Sequence, residues 1–204
     1  MTIKAVIFDI DGVLIDSAKA NRHFVNDIIK EHNKKELTAE EFSEIRHMTL
    51  KQAIEKLLPE LDKEQKETAR KKWSEEYAKY LGYSKLNPGA KEILEFLKGK
   101  FKLAVVTNKT KTTILEYHGI KHFFDYAVTA SDVIEPKPAP EGILKVLKEF
   151  NLKPKEAIFI GDAIADFKAG NSAGTKTLIY RAEIKGEKIN RIEDFEEIKE
   201  FLGD

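Results

Sequence analysis

The sequence predicts an α/β fold: a doubly wound parallel sheet that carries an inserted, all-helical domain. Short apolar runs alternate with helical patterns from residue 89 onwards, as in sheets assembled from βα units. Residues 18–82 show helical periodicity alone and interrupt that alternation. We therefore expect a core domain of residues 1–16 and 83–204 and a helical domain of residues 17–82.

Composition narrows the possible functions. The 204 residues are enough for one core and a modest second lobe. Lys plus Arg and Asp plus Glu both number 35, so there is no net charge to attract nucleic acid. Cysteine is absent, which excludes disulfides, zinc–thiolate sites and thiol nucleophiles. The chemistry must therefore come from oxygen and nitrogen groups.

The sequence also predicts a cytoplasmic protein without membrane contact. The N-terminal residues fit neither a signal peptide nor a transit peptide. No apolar stretch approaches the length that spans a bilayer. Charged residues make up 34% of the chain, a bias that resembles the composition of thermophile proteins.

The helical domain is expected to contain four helices, near residues 18–32, 39–47, 50–58 and 62–81. Capping boxes or their close relatives open the last three, at residues 38–41, 49–52 and 62–65. Gly82 is expected to end the last helix. The aromatic stripe on that helix is interpreted as internal packing of the domain. Its members are Trp73, Tyr77 and Tyr80.

The core domain resumes at Pro88-Gly89. Its helices are expected at 89–98, 110–118, 140–150, 164–173 and 192–202. Its later strands are expected at 102–106, near 126–129, at 157–160 and at 176–180. Strands and helices that alternate with these lengths predict a parallel sheet with helices on both faces.

Two carboxylates, Asp9 and Asp11, follow the first predicted strand, the apolar run at residues 5–8. In open α/β sheets, ligands bind outside the carboxyl ends of the strands. Two neighbouring carboxylates resist ionising together unless a cation lies between them or one stays protonated. One Asp could act as nucleophile and the other as general acid and base. Two aspartates with this spacing, with no other motif nearby, are also common in solvated turns.

Three further polar clusters follow predicted strands. Thr107 and Asn108 could bind phosphate oxygens, or one of them could cap a helix. Lys137 stands among three prolines, which would fix its direction, although a stiff surface loop is an equal alternative. Asp162 and Asp166 are spaced to face the same way and could be ligands of a divalent cation. Asp162 could also cap the following helix while Asp166 favours its N-terminus, and both roles can hold together.

Taken together, the four clusters resemble the haloacid dehalogenase (HAD) superfamily of phosphotransferases. The matching motifs occur in family order, at residues 9–17, 107–108, 137–142 and 161–166. The resemblance implies a Rossmann-like core. It also implies that the inserted helices form a cap of the family's first type, as in phosphoglycolate-phosphatase-like members.

The resemblance further implies roles for these residues. Asp9 would attack phosphorus to form an aspartyl-phosphate, and Asp11 would protonate the leaving oxygen and then activate water. Mg²⁺ would be held by the Asp9 carboxylate, the Asp11 backbone carbonyl and Asp162, with Asp166 in support. The transferring phosphoryl group would be held by Thr107, Asn108 and Lys137.

Single residues narrow the subclass within this resemblance. Dehalogenases and phosphonatases lack an Asp at the position of Asp11, which favours a phosphomonoesterase or a phosphomutase. Related sugar-phosphate mutases usually carry a His where this chain has Asn21, which favours hydrolysis. A non-catalytic binding module of the same fold is a further alternative, although the catalytic set is complete.

The cap departs from the phosphoglycolate-phosphatase pattern. No glycine follows Arg46 closely, so specificity for phosphoglycolate is in doubt. Arg46 could clamp a substrate carboxylate or second phosphate, but a solvated helix end is the favoured interpretation. We therefore expect a Mg²⁺-dependent phosphatase that acts on a small phosphorylated metabolite, as a monomer or homodimer.

Overall fold

Six parallel strands form the central sheet of the computed structural model, which describes residues 2–203. The strands of the chain are β1 (Ala5–Phe8), β2 (Ile15–Asp16), β3 (Lys85–Leu86), β4 (Lys102–Val106), β5 (Tyr126–Val128), β6 (Ala157–Gly161), β7 (Lys176–Tyr180) and β8 (Asn190–Ile192). The sheet order is β5-β4-β1-β6-β7-β8, and every pairing in it is parallel. The first strand is therefore central, as a doubly wound sheet requires.

Helices cover both faces of this sheet. The α-helices are α1 (Ala18–Glu31), α2 (Ala39–Ser43), α3 (Leu50–Leu57), α4 (Lys63–Glu76), α5 (Ala90–Leu97), α6 (Thr113–Tyr117), α7 (Glu141–Glu149) and α8 (Ile164–Ala173). Short 3-10 helices span Tyr77–Tyr83, Lys121–Phe123, Pro154–Glu156 and Phe195–Phe201. No helix among residues 2–203 combines the length and the apolar character needed to cross a membrane.

The residues of β1 alternate between two apolar clusters. Val6 and Phe8 face the cluster that includes residues of α5 and α6, while Ala5 and Ile7 face the cluster built from α7 and α8. Because successive strand residues point to opposite faces, a strand with apolar residues throughout is buried on both sides. The predicted fold class is confirmed.

A third apolar cluster lies within the inserted helices. Its buried members include Phe24 from α1, Ile54 from α3 and Trp73 from α4. All three predicted capping boxes are present, because Thr38, Thr49 and Asp62 each accept a hydrogen bond from the backbone N–H three residues later and each box is reciprocated. This segment, residues 17–82, is called the cap below.

Two short strands that the sequence analysis missed join the cap to the core. Strands β2 and β3 pair antiparallel where the chain leaves the core and where it returns. The Asn87 side chain donates hydrogen bonds to the backbone carbonyls of Gly12 (3.1 Å) and Val13 (2.5 Å). These contacts tie the returning chain to the loop that carries Asp11.

Two predicted elements are wrong. Gly82 does not end the last cap helix, because α4 stops at Glu76 and a 3-10 helix continues through Tyr83. The expected helix at 192–202 is instead the end of β8 followed by the 3-10 helix Phe195–Phe201. The expected helices at 39–47 and 110–118 are shorter, as α2 and α6 have five residues each.

Candidate active site

The predicted site residues of the core meet at one edge of the sheet. Asp9 follows β1, Thr107 follows β4 and Asp162 follows β6. Lys137 lies on the segment between β5 and α7. All four are buried, with at most 7% of each residue exposed. The carboxyl ends of parallel strands share an edge, so residues distant in sequence come together here.

Lys137 bridges two carboxylates inside this edge. Its Nζ lies 2.9 Å from Asp9 Oδ1 and donates a hydrogen bond of 2.6 Å to Asp166 Oδ1. Burial opposes the charged form of the lysine, but the charges of Asp166 and Asp9 outweigh it, so the pKa of Lys137 is raised. The ammonium therefore stays protonated and aimed at Asp9.

Asp166 is fixed from both ends of its carboxylate. Its Oδ2 accepts hydrogen bonds from the backbone N–H groups of Asp162 (3.2 Å) and Ala163 (3.0 Å). These are unpaired donors at the start of α8, which an acidic side chain satisfies. Since Asp166 accepts these bonds, Asp162 does not cap the helix, and its carboxylate is left for the site. The alternative in which Asp162 caps helix α8 is therefore wrong.

Asp9, Asp162 and Asp166 form the group that best fits a metal ion. One carboxylate oxygen from each lies within 4.8 Å of the others. Oδ1 of Asp162 is buried without a hydrogen-bond partner, and Oδ1 of Asp9 is buried with only the ion pair to Lys137. Carboxylate oxygens are the donors that a hard divalent cation such as Mg²⁺ prefers. Since both oxygens of Asp166 are already engaged, it suits a supporting position.

The electrostatics of the cluster also favour a cation. Burial raises the pKa of Asp9 well above its usual range, against the opposing charge of Lys137, and neighbouring carboxylates raise it further. Burial and the charge of Asp166 raise the pKa of Asp162 to about 7. Excess negative charge in a buried site disfavours ionisation. An added divalent cation would restore the ionised carboxylates.

Gly12 allows the acidic turn to pass close to this cluster. Its φ is +79°, and a Cβ at this position would lie 2.0 Å from Asp162 Oδ2. A side chain would therefore be strained by the backbone and would collide with the carboxylate. The turn that directly follows Asp11 therefore requires glycine.

Asp11 faces a different set of partners from Asp9. Ser17 Oγ donates a short hydrogen bond to Asp11 Oδ1, and Lys109 Nζ lies 3.2 Å from the same oxygen. The Asn21 amide nitrogen is 3.5 Å away. The two carboxylates of the first motif are thus held apart in separate polar surroundings.

Lys109 and Tyr77 line the site, although the sequence predicted no role in the site for either of them. Lys109 Nζ lies 3.9 Å from the centre of the Tyr77 ring and donates to Asn21 Oδ1 at 3.1 Å. The Tyr77 hydroxyl donates to the same oxygen at 2.6 Å. Although burial opposes its charge, Asp11 raises the pKa of Lys109. The interpretation of Tyr77 as packing was incomplete, since its ring packs while its hydroxyl serves the site.

The signal for Lys109 was its position directly after Thr107-Asn108. The Thr107 hydroxyl oxygen accepts from the Lys109 backbone N–H at 3.2 Å. The Asn108 amide donates to the carbonyls of Lys137 (3.1 Å) and of His47 in the cap (3.2 Å). Through these two hydrogen bonds, Asn108 links the segment that carries Lys137 to the cap turn that carries His47.

Arg46 and His47 bring the cap to the acidic cluster. Arg46 Nη2 lies 3.4 Å from Asp162 Oδ2, although 42% of the arginine side chain is exposed. His47 Nδ1 lies 3.9 Å from Asp162 Oδ1. Burial and the adjacent Arg46 charge lower the pKa of His47 to about 4, so the imidazole is neutral at pH 7. Arg46 is therefore more than the solvated helix end that was favoured.

Comparison with known proteins gives one family. The sequence model of the haloacid dehalogenase-like hydrolases matches residues 6–180. A phosphoglycolate phosphatase of Aquifex aeolicus is 34% identical over 186 residues, which cover 87% of this chain and 84% of the relative. The pyrophosphatase PpaX of Bacillus cereus strain Q1 is 29% identical over 193 residues, which cover 91% and 87% of the two chains.

Solved structures agree with the sequence comparison. A HAD-superfamily hydrolase of subfamily IA, variant 1, from Geobacter sulfurreducens PCA superimposes with a TM-score of 0.75 and 31% identity. The match covers 98% of this chain and 97% of that protein. The core and the cap are therefore both part of the shared architecture.

Proposed function

Because the chain belongs to the haloacid dehalogenase-like hydrolase family, we propose that it is a Mg²⁺-dependent phosphatase that hydrolyses a small phosphomonoester through an aspartyl-phosphate intermediate. The separation of Asp9 from Asp11 is the observation that carries this proposal. Asp9 lies beside Lys137 in the acidic cluster, and Asp11 lies beside Ser17 and Lys109. Two carboxylates in different surroundings are suited to different chemical roles.

In the first step, Asp9 attacks the phosphorus atom and the bond from phosphorus to the leaving oxygen breaks. Asp11 donates its proton to that oxygen, so the product leaves as a neutral alcohol. In the second step, Asp11 takes a proton from a water molecule, which attacks the aspartyl-phosphate and releases inorganic phosphate. Asp9 is then a free carboxylate again and Asp11 is protonated.

Mg²⁺ would be held by the Asp9 carboxylate, the Asp11 backbone carbonyl and Asp162, with Asp166 in support. When bound, the ion neutralises negative charge on the phosphoryl oxygens and keeps the nearby carboxylates ionised. The buried Oδ1 of Asp162, which has no hydrogen-bond partner, supports this assignment.

The transferring phosphoryl group would be held by Lys137, Thr107 and Asn108. Lys137 offers a buried ammonium beside Asp9, which balances the charge that builds up on the phosphoryl oxygens. Thr107 accepts a bond from Lys109, so its own hydroxyl proton can be donated. Because the Asn108 side-chain amide is engaged, its contribution would come from the backbone N–H.

The cap, residues 17–82, would close over the core of residues 1–16 and 83–204 when substrate binds. Contacts of Arg46 and His47 with the core support this role. The substrate would be a small phosphorylated metabolite rather than nucleic acid, since the chain carries no net charge. Cytoplasmic location and a monomeric or homodimeric state belong to the same proposal.

Hydrolysis is favoured over sugar-phosphate mutase activity because of Asn21. Its amide oxygen accepts from Tyr77 and Lys109, and its nitrogen lies near Asp11. An amide in this position has no proton to exchange near neutral pH, whereas the His of related mutases does. Asn21 would thus position Asp11 rather than take part in proton transfer.

The test is phosphate release from a panel of phosphomonoesters, with Mg²⁺ or with EDTA. We expect release that requires Mg²⁺ and falls by about 10³-fold or more in Asp9→Asn, because an amide cannot attack phosphorus. Asp16→Asn is the matched control, since this carboxylate lies in the following strand β2, is half-exposed and is paired with Lys85. Turnover in Asp9→Asn equal to that of the native chain would contradict the covalent route.

A further inference from the structure

A pocket joins the acidic cluster to the interior of the cap, and its two ends differ in chemistry. The core end is lined by Asp9, Asp11 and Lys137. The cap end is lined mainly by apolar side chains, which include Phe24, Val25, Phe42, Ile45, Met48 and Leu50. The polar cap residues along the pocket are Asn21, Arg46, His47, Ser74 and Tyr77.

The apolar wall is built by four parts of the cap. Phe24 and Val25 come from α1, Phe42 comes from α2, Ile45 and Met48 come from the turn before α3, and Leu50 comes from α3. The same residues belong to the apolar cluster of the cap or pack against it. The wall is therefore held in place by the packing of the cap itself.

The cations that line the pocket are placed at its core end or at its surface. Among the described residues of the cap, Arg46 is the one Lys or Arg that lines the pocket, and its Nη2 lies 3.4 Å from Asp162 Oδ2. Lys109 is paired with Asp11 and Lys137 with Asp9 and Asp166. Lys111 is exposed. A second anion against the apolar wall would lose its hydration without a partner, which is costly.

We propose that the cap end of this pocket binds the leaving group of the substrate, and that this group is uncharged and apolar, as in the phosphate ester of a phenol or a branched alcohol. The inference rests on the proposed phosphatase function and adds the substrate class. The volume of the whole pocket, core end included, is about 120 Å³. Apolar protein cavities of roughly this size accept a single benzene ring. Because the phosphoryl group takes the core end, the leaving group is at most one ring or a short branched chain.

A matched pair of substrates tests the inference with the unmodified protein. Phenyl phosphate and 4-carboxyphenyl phosphate differ by one carboxylate, and 4-ethylphenyl phosphate controls for the added size. We expect kcat/KM in Mg²⁺ to be at least about tenfold higher for the two esters whose leaving groups are uncharged, a factor that corresponds to about 1.4 kcal/mol. The carboxylate makes the phenol a slightly better leaving group, so chemistry alone would favour the opposite order.

A substitution in the wall should reverse the preference. Met48 is half-buried and unbranched, so Met48→Lys places an ammonium along the apolar wall with little change in shape. We expect the ratio of kcat/KM for the carboxylated ester to that for phenyl phosphate to rise at least about tenfold. Thr68→Lys adds the same charge at an exposed position of α4 and should leave the ratio unchanged.

Two results would overturn the inference. The first is equal or better use of 4-carboxyphenyl phosphate by the native chain, above all if Lys111→Gln removes it, because Lys111 would then bind a second anion. The second is a folded Met48→Lys variant with the native ratio. The native-chain comparison stands even if Met48→Lys fails to fold. If no ester of the phosphomonoester panel, these three included, releases phosphate, that result would instead contradict the proposed phosphatase function.

Discussion

Asp9 and Asp11 are two residues apart, yet their side chains have almost no partners in common. Their separate surroundings come from residues that are distant in sequence, because Lys137 lies beside Asp9 and Lys109 beside Asp11. Each carboxylate thus has its own lysine, one from each of two loops at the sheet edge.

Lys109 should set the position of Asp11 without binding the phosphoryl group. Its ammonium contacts Asp11 and Asn21 and lies against the Tyr77 ring. In Lys109→Met, we expect kcat to fall about 10- to 100-fold with KM changed less than about threefold, since proton transfer by a positioned acid contributes about 10²- to 10⁴-fold. Steady-state kinetics on phenyl phosphate measures both constants.

Lys168→Met is the control for this variant, because Lys168 is an exposed lysine on α8. Its kinetic constants should match those of the native chain. A rise in KM without a fall in kcat for Lys109→Met would show that Lys109 binds substrate and would contradict the positioning role. The free energy of unfolding of both variants separates these results from a loss of fold.

Asp162 should make the metal-free protein less stable as pH rises. Its pKa is raised to about 7 in the fold from 3.8, so the folded state holds the proton more tightly than the unfolded chain does. The resulting destabilisation grows between pH 4 and pH 7 and is constant above. In EDTA at pH 8, we expect Asp162→Asn to raise the free energy of unfolding by roughly 2–4 kcal/mol, with little gain at pH 4. Urea unfolding at the two pH values measures this.

Mg²⁺ supplies the control for Asp162→Asn. A ligand that binds only the folded state stabilises it in proportion to the logarithm of its concentration over Kd. The native chain should therefore gain stability when Mg²⁺ is added at pH 8, and the variant should gain much less. Lower stability of Asp162→Asn than of the native chain in EDTA at pH 8 would contradict the assignment.

At the scale of elements, the start of α3 links local sequence to the site. Thr49 is buried, accepts from the Gln52 backbone N–H at 3.2 Å and is reciprocated by the Gln52 side chain. The turn just before it carries Arg46, His47 and Met48 into the pocket. One capping box therefore fixes where that turn must end.

Loss of the Thr49 capping box should loosen the turn before α3 as well as α3 itself. We expect Thr49→Ala to lower the free energy of unfolding by about 1 kcal/mol, the usual cost of losing a helix N-cap side chain. Thr68→Ala, at an exposed position inside α4, should change stability by less than about 0.5 kcal/mol. Urea unfolding compares the two. A loss no greater than that in Thr68→Ala would show that the box does not stabilise the cap.

Elements with strong local patterns were predicted correctly, and elements made by pairing were not. The capping boxes and the apolar strands are visible in short windows of sequence. Strands β2 and β3 have two residues each and form only because they meet, so no periodicity announces them. Phe195, Ile198 and Phe201 are spaced by three, which fits a 3-10 helix better than an α-helix, and the helix predicted at 192–202 did not take this spacing into account.

The same division applies to the candidate site. Motif residues at strand ends, such as Asp9 and Asp162, were predicted because a parallel sheet brings strand ends together. Tyr77 and Lys109 were missed because their contact spans the cap and the core. A stripe of aromatic residues on a helix does not show which of its members faces outwards. That assignment needs the packing of the whole molecule.

At the scale of the whole molecule, the cap and the core are joined by polar contacts and by a small apolar contact. The cap has its own apolar cluster, while Leu81 of the cap is buried in one cluster of the core and Tyr77 packs against both clusters. Polar links include Arg46 with Asp162 at 3.4 Å and the Ser74 and Thr110 hydroxyls at 2.6 Å. Exposed or half-exposed polar contacts contribute little each, so the cap should open at a lower free-energy cost than the sheet.

Hydrogen exchange should therefore separate the cap from the core. We expect amides of α1 and α3 to exchange through an opening that costs roughly 2 kcal/mol less than the opening that exposes β1 and β6. Orthovanadate with Mg²⁺ should slow exchange in the cap more than in the sheet, since a bound phosphoryl mimic would hold the cap closed. In Asp9→Asn with orthovanadate and EDTA, that added protection should disappear. Equal protection of α1, α3 and the sheet in the free protein would mean that cap and core unfold as one unit, which would contradict a closing cap.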